Sequence, residues 1–198
     1  MGNQYIIAIS REYASGGHMI GEALAKRFGI NFYDHNLLDA VAEEKGLDVS
    51  KLNKYDESPR RRLTSRTVRG FSNSPEEAVA EIQFQYLSEK AKSGESFVIV
   101  GRCAESVLAE EKGLISIFIY GDPEAKIKRI MELRGMNKKE AFATMKRHDS
   151  HRQSYHNHFC ESPWGDATTY DLCVNSSVLG IEGTIDFLED YIKRRILH

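Results

Sequence analysis

Three short stretches of the chain hold residues whose types and spacing could do chemistry. The first is REYASGGHM, Arg11 to Met19, which follows an apolar run and precedes Ile20, Leu24, Ala25 and Phe28 at helical spacing. A strand, a glycine turn and a helix in that order form an anion cradle. Backbone N–H groups, here those of Ser15, Gly16, Gly17, His18 and Met19, then face one point at the positive end of the helix. Laid over the phosphate-cradling pattern G-x-x-x-x-G-K-[ST], the stretch matches only at Gly16. Arg11 stands where the first glycine belongs, Gly17 replaces the lysine, and His18 replaces the hydroxyl that would hold Mg2+. The backbone half of the cradle is retained, with Arg11 as the candidate clamp. The plain alternative is an ordinary glycine turn.

The second stretch is MKRHDSHRQSYHNHF, Met145 to Phe159. On a helix Arg147 lies four residues from His151, and His148 four from Arg152, with Asp149 between the arginines. Guanidiniums facing a cleft suit a transferring phosphoryl group, whose charge is spread over several oxygens. A solvated basic helix face is the alternative. His148, His151, His156 and His158 precede Cys160 at irregular spacing, and no metal site is expected from that pattern. The third stretch is VIVGRCAESVL, Val98 to Leu108. An arginine directly after a buried strand, here Arg102, points into the crevice at the strand ends and could grip a phosphate or a base edge. No partner histidine is evident for Cys103, so a semi-buried structural thiol is expected there.

The elements that must position these residues are legible as periodicities. Five β-type runs stand out, at Tyr5–Ser10, Asn31–Asp34, Phe97–Val100, Ile115–Tyr120 and Asp171–Asn175, with helical patterns between them. Near-continuous apolar runs such as FVIV and LISIFIY suit parallel strands buried on both faces. Strands alternating with helices imply right-handed crossovers and a three-layer α/β/α domain, with ligands outside the carboxyl ends of the strands. The connection from Asp34 to Phe97 is too long for one crossover helix. It holds the helical pattern NLLDAVAEEKG, the basic stretch SPRRRLTSRTVRG, and a long helix from about Pro75 to Lys92 with Ser74 as N-cap. Residues 35–94 are therefore read as a cap insertion and residues 135–165 as a helical lid, on a core of residues 1–34, 95–134 and 166–198. All 198 residues make one domain.

A formal net charge of −2 gives no global case for nucleic acid or membrane binding, so any anion site must be a local gathering of arginines. No apolar run approaches the roughly 20 residues that span a bilayer. The N-terminus carries no signal-peptide pattern, and three cysteines without metal-type spacing suggest reduced thiols in a cytoplasm.

In order and content these segments resemble the cytidylate kinase-like family of P-loop nucleoside monophosphate kinases, over nearly the whole chain. IAISREYASGGHMIGEALAKRFG resembles the family's opening strand, P-loop and first helix, and NFYDHNLL its second strand, whose closing aspartate is here Asp34. VGRCAESVL resembles the G-R-D segment, KRHDSHRQSY the R-x-D-x-x-R lid segment, and YDLCVNSSVLGIEGTIDFLEDYI the last strand and closing helix. The resemblance implies a five-stranded parallel sheet with helical cap and lid. It also implies ATP and Mg2+ as cofactors, with no Mg2+ ligand identifiable, and phosphoryl transfer to a CMP-like nucleoside monophosphate or similar small acceptor. Arg147 and Arg152 inherit catalytic roles, and Arg11, at the mouth of the loop, is the catalytic candidate expected to substitute for the lysine as an electrostatic clamp. Ser15 to Met19 and Arg129 inherit donor-phosphate binding, and Asp34, Arg102 and Asp149 acceptor binding. A monomer or homodimer is expected. Two departures bear on activity: Gly17 in place of the lysine, and Cys103 in place of the acid that would read cytosine's exocyclic amine. Losing one charge-stabilising group can cost ~3–4 kcal/mol of barrier. A nucleotide-binding regulatory protein with weak or no turnover is therefore the alternative.

Overall fold

In the computed structural model, which describes residues 4–34, 36–45, 67–68, 71–72 and 74–197, the apolar runs become the inner strands of one parallel sheet. In chain order the elements are β1 (Ile6–Arg11), α1 (Gly17–Phe28), β2 (Asn31–Tyr33), α2 (Leu37–Lys45), β3 (Thr67–Val68), β4 (Phe71–Ser72) and α3 (Pro75–Lys92). There follow β5 (Phe97–Val100), α4 (Ala104–Val107), β6 (Leu114–Tyr120), α5 (Pro123–Arg134), α6 (Lys138–Phe159), β7 (Leu172–Asn175) and α7 (Ser176–Leu197). The main sheet runs β2-β5-β1-β6-β7 with every pairing parallel, and β3 and β4 form a separate antiparallel pair. All five expected strands are present, each within a residue of its expected ends. Most of the basic stretch of residues 58–70 lies outside the described residues.

Every residue of β1 and of β5 is buried, which requires cover on both faces of the sheet. The pleat divides them. Ile7, Ile9, Val98 and Val100 face α1 and α7 and pack with Ile20, Leu24, Ile185 and Leu188. Ile6, Ala8, Phe97 and Ile99 face the other way, against Leu37 and Val41 of α2 and Tyr86 and Leu87 of α3. Burying each such large aliphatic side chain contributes about 1.5–3 kcal/mol. These two cores hold the strand ends, and thus the loops that follow them, in fixed relation.

Helices α5 and α6 form a pair of their own around Ile127, Ile130, Ala141 and Met145, and Tyr13 and Ala14 of the β1–α1 loop pack against it. The sequence N-x-x-E starts α6 sharply. Asn137 accepts from the Glu140 N–H and the Glu140 carboxylate accepts from the Asn137 N–H, both at 3.0 Å. Helix α3 begins at Pro75 as expected, but Ser74 does not cap it through its side chain. Its hydroxyl donates instead to the Glu76 carboxylate at 2.5 Å, a stronger acceptor close at hand. No helix among the described residues is long and apolar enough to cross a membrane.

Helix α1 lies unusually close to the sheet because residue 21 is glycine. A Cβ there would sit 2.7 Å from Val100 Cγ2 and 3.1 Å from Phe32 Cε2. Gly21→Leu should therefore lower the unfolding free energy by about 1–3 kcal/mol, despite leucine's better helix propensity. Urea denaturation measures this, and a variant as stable as the parent would mean that α1 is not packed this tightly.

Candidate functional site

The carboxyl ends of β1, β2 and β5 converge on one carboxylate. Asp34, directly after β2, is almost fully buried. Its Oδ1 accepts from Arg102 Nη1 at 2.9 Å and lies 3.6 Å from Arg11 Nη2, while Oδ2 is 2.5 Å from His18 Nδ1. Arg11 is the last residue of β1, His18 lies in the first turn of α1, and Arg102 follows β5. Arg102 also donates to the Val100 carbonyl at 3.2 Å. Asp34, Arg11 and Arg102 together carry +1, buried at the strand ends where an anionic ligand would arrive. Arg102 is held at the strand ends with its guanidinium on Asp34.

The β1–α1 loop is held from several sides. Ser15 Oγ donates to the Glu12 carbonyl at 2.9 Å, and Ser176 Oγ, at the start of α7, donates to the Ser15 carbonyl at 2.6 Å. Arg129 Nη1 donates to the Ala14 carbonyl at 2.8 Å. Asp149 Oδ1 accepts from the Tyr13 N–H at 2.6 Å, and Lys126 Nζ bridges Glu12 (2.7 Å) and Asp149 (3.2 Å). The Tyr13 ring stacks on His148 with centroids 4.2 Å apart, and the guanidiniums of Arg134 and Arg152 lie over it. Ala14 takes a left-handed φ of 61°, a conformation that a non-glycine residue keeps only when its surroundings impose it.

Gly16 is the N-cap of α1 and offers no side-chain cap, the first turn holds no acidic residue, and His18 and Met19 are exposed. A helix N-terminus without a side-chain cap or an acidic first turn is a good seat for an anion. Gly17 has no positive φ, yet a Cβ on it would lie 2.6 Å from Arg11 Cβ and 2.9 Å from Arg11 Cγ. The stem of Arg11 crosses the space from which a lysine at position 17 would project. Arginine at 11 and glycine at 17 are one steric arrangement.

The remaining expected site residues divide. Arg152, half-buried on α6, reaches the Arg11 carbonyl at 3.4 Å and lines a cleft with Ser10, Arg11, Arg102, Tyr155 and Trp164. Arg129 stands against the loop. Arg147 is exposed on α6. Asp149 faces the Tyr13 N–H and Lys126, so its contacts are with the loop backbone and not with Asp34 or Arg102.

Sequence reading passed over a second buried cluster. Gly101, Arg102 and Cys103 take consecutive positive φ values of 84°, 58° and 54°, which turn Cys103 inward. His156 Nε2 is 2.7 Å from Glu105 Oε1, and Cys160 lies beside both. The Cys160 thiol is pulled down to about 5, by hydrogen bonds from Cys103 first and from His156 and Ser106, against the effect of burial. Burial opposes charge on His156, but hydrogen bonds to Cys160 and Glu105 outweigh it and push the imidazole up to about 10. The histidine partner that the sequence did not offer Cys103 comes from 53 residues further on, through Cys160. Only the i, i+4 pair His156 and Cys160 could have hinted at it.

Residues 6–178 match the cytidylate kinase-like family. The chain belongs to that family. The crystal structure of an uncharacterized protein from Eubacterium ventriosum is 37% identical, with a TM-score of 0.76 over 96% of this chain and 99% of that one. Shikimate kinases from Bacteroides thetaiotaomicron and Aquifex aeolicus share the fold at 15% identity, each with a TM-score of 0.55. They cover 96% and 97% of this chain and 98% of their own. No curated protein matches the chain significantly. Family and fold point to a phosphotransferase acting on a small substrate.

In this cytidylate kinase-like chain the described residues do not fit a protein-held Mg2+. That ion wants hard oxygen ligands, but position 18 is an imidazole and Asp34 is engaged by two guanidiniums. Polyphosphate fits better, at the first turn of α1 beside Arg11 and Arg129.

Two outcomes follow. Gly17→Lys should destabilise the parent chain by about 1–3 kcal/mol through its clash with Arg11, and should cost much less when introduced into Arg11→Gly, a variant that has already lost its contact with Asp34. Additive losses in a denaturation double-mutant cycle would contradict the steric coupling. His148, held below its usual value by burial and then by Arg147, Arg152 and Arg134, takes up its proton later in the folded chain than in the unfolded one. Stability should therefore fall as pH drops through and below about 6.5. His148→Phe, which keeps a ring for Tyr13, should flatten that part of the profile, and an unchanged slope would exclude His148 as its source.

Proposed function

We propose that this cytidylate kinase-like protein is an ATP-dependent phosphotransferase acting on a CMP-like nucleoside monophosphate or a similarly small anionic acceptor. The observation that carries this reading is the convergence of Arg11, Arg102 and Arg152, from three separate elements, on the mouth of α1 and Asp34. In this reading the N–H groups of Ser15 to Met19, with Arg129, bind the donor phosphates. Arg102 and Asp34 bind the acceptor, with Asp149 holding the loop beside them. Arg11 and Arg152 neutralise the group in transfer, with Arg147 brought in by movement of the lid. Positioning and electrostatics then carry the reaction, since phosphoryl transfer asks for little covalent chemistry from the protein. Residues 135–165, the helical lid, close over the substrates and keep water from the donor, while residues 46–66 of the expected cap lie outside the described residues.

A second reading, a nucleotide-binding regulator without turnover, draws support from the stem of Arg11 lying where the usual lysine would start. ATP binding measured beside radiolabel transfer to a panel of monophosphates separates the two. Transfer is expected, and Arg152→Ala should lower turnover about 10²-fold while donor affinity changes little. Binding without transfer to any acceptor would favour the regulator. Absence of ATP binding, with Arg152→Ala inert, would defeat both readings.

A further inference from the structure

Glu105, His156 and Cys160 bring a carboxylate oxygen, an imidazole nitrogen and a thiol sulfur within 4.8 Å of one another, and all three residues are buried. We propose that these side chains, with Cys103 as the fourth ligand, bind a zinc ion that ties the end of α6 to the loop after β5.

The donor set argues for zinc over the alkaline-earth ions, because thiol and imidazole are poor ligands for Mg2+ or Ca2+ and good ones for Zn2+. Its number suits a closed tetrahedral site. Cys103 is buried and already hydrogen-bonded to Cys160, and two thiolates on one zinc stand ~3.8 Å apart, close to the span of a thiol–thiol hydrogen bond. The ligands come in two local pairs, Cys103 with Glu105 at the start of α4, and His156 with Cys160 at the end of α6. Each pair is fixed by its own helix, so the ion would join two rigid halves.

Neighbouring groups orient the ligands as a metal site requires. Ser10 Oγ donates to Glu105 Oε2 at 3.1 Å, and the Tyr170 hydroxyl donates to Glu105 Oε1 at 3.4 Å. His156 Nδ1 lies 3.4 Å from Asn157 Oδ1, which leaves Nε2 directed at the cluster. The 2.7 Å contact between His156 Nε2 and Glu105 Oε1 would have to open to the spacing two ligands keep on one ion, and Cys103, which is outside the group of three within 4.8 Å, would have to move in to complete the set. The left-handed run from Gly101 to Cys103 supplies a further reason. Two consecutive non-glycine residues hold an unfavourable conformation, and it aims the Cys103 thiol at this cluster and Arg102 at Asp34. Zinc on Cys103 would lock the turn that positions Arg102.

The test uses the tag-free full-length chain, kept reduced and reconstituted with Zn2+ or Co2+. Gel-filtered protein should retain about one zinc per chain by elemental analysis. The cobalt form should show visible bands of tetrahedral intensity and a near-ultraviolet thiolate-to-cobalt band. Cys160→Ser should lose metal and bands together, and Cys103→Ser should lose about half of the thiolate band, since two sulfur ligands become one. Cys173→Ser, at a half-buried thiol in β7, should change neither. Retention of no zinc by the reduced parent chain would overturn the proposal. So would a cobalt spectrum without a thiolate band, or full zinc in Cys160→Ser. If Cys160→Ser fails to fold, the parent's cobalt spectrum decides the matter by itself.

Discussion

One buried carboxylate, Asp34, is shared by Arg11 and Arg102, which arrive from two different strands, and by His18 from the first turn of α1. Guanidiniums cannot be left in a protein interior without a counter-charge, and removing one partner of such a pair typically costs about 3–5 kcal/mol. The strand order makes the arrangement reachable. With β5 between β1 and β2, the ends of three neighbouring strands deliver Arg11, Arg102 and Asp34 to one place. Close packing of α1 at Gly21 then brings His18 to the remaining carboxylate oxygen. The sheet supplies the rigidity and the carboxylate supplies the charge balance.

A second constraint binds the β1–α1 loop to α6. Asp149 holds the Tyr13 N–H, Lys126 joins Asp149 to Glu12, and His148 lies flat on the Tyr13 ring. Residues in the R-x-D-x-x-R segment thus act on the loop in different ways: Asp149 through its backbone, and Arg152 through the Arg11 carbonyl. Any displacement of α6 must be felt at the loop. The left-handed Ala14, next to Tyr13, shows how firmly these contacts over-determine the backbone there.

The sheet was legible in the sequence because β1, β5 and β6 are apolar on both faces, a pattern that few alternatives share with parallel strands. Asp34, Arg102 and Arg152 were legible because they end strands or repeat along a helix, and position along an element follows from local periodicity. What sequence could not reveal depends on contacts across the chain. The collision between residue 17 and Arg11 joins positions six apart through the shape of a turn. The approach of His156 to Glu105 spans 51 residues and depends on how α6 ends against α4. Ser74 shows the local limit: the residue type suits an N-cap, but the neighbouring Glu76 takes its hydroxyl.

Moving the positive charge from the helix to the strand changes what the site can do. A lysine in the first turn of α1 would carry its ammonium on a flexible stem, without a fixed partner. Arg11 instead spends its reach crossing Gly17 and brings its guanidinium to Asp34, the carboxylate that also holds Arg102. In the phosphotransferase reading, the donor-side and acceptor-side cations therefore share one counter-ion. An anion drawn to either guanidinium competes with Asp34 for it, and each success leaves Asp34 holding the other more tightly. Two sites that would be electrostatically independent around a lysine are here coupled through a single buried charge, as Coulomb's law requires of groups within a few ångströms in a poorly screened interior.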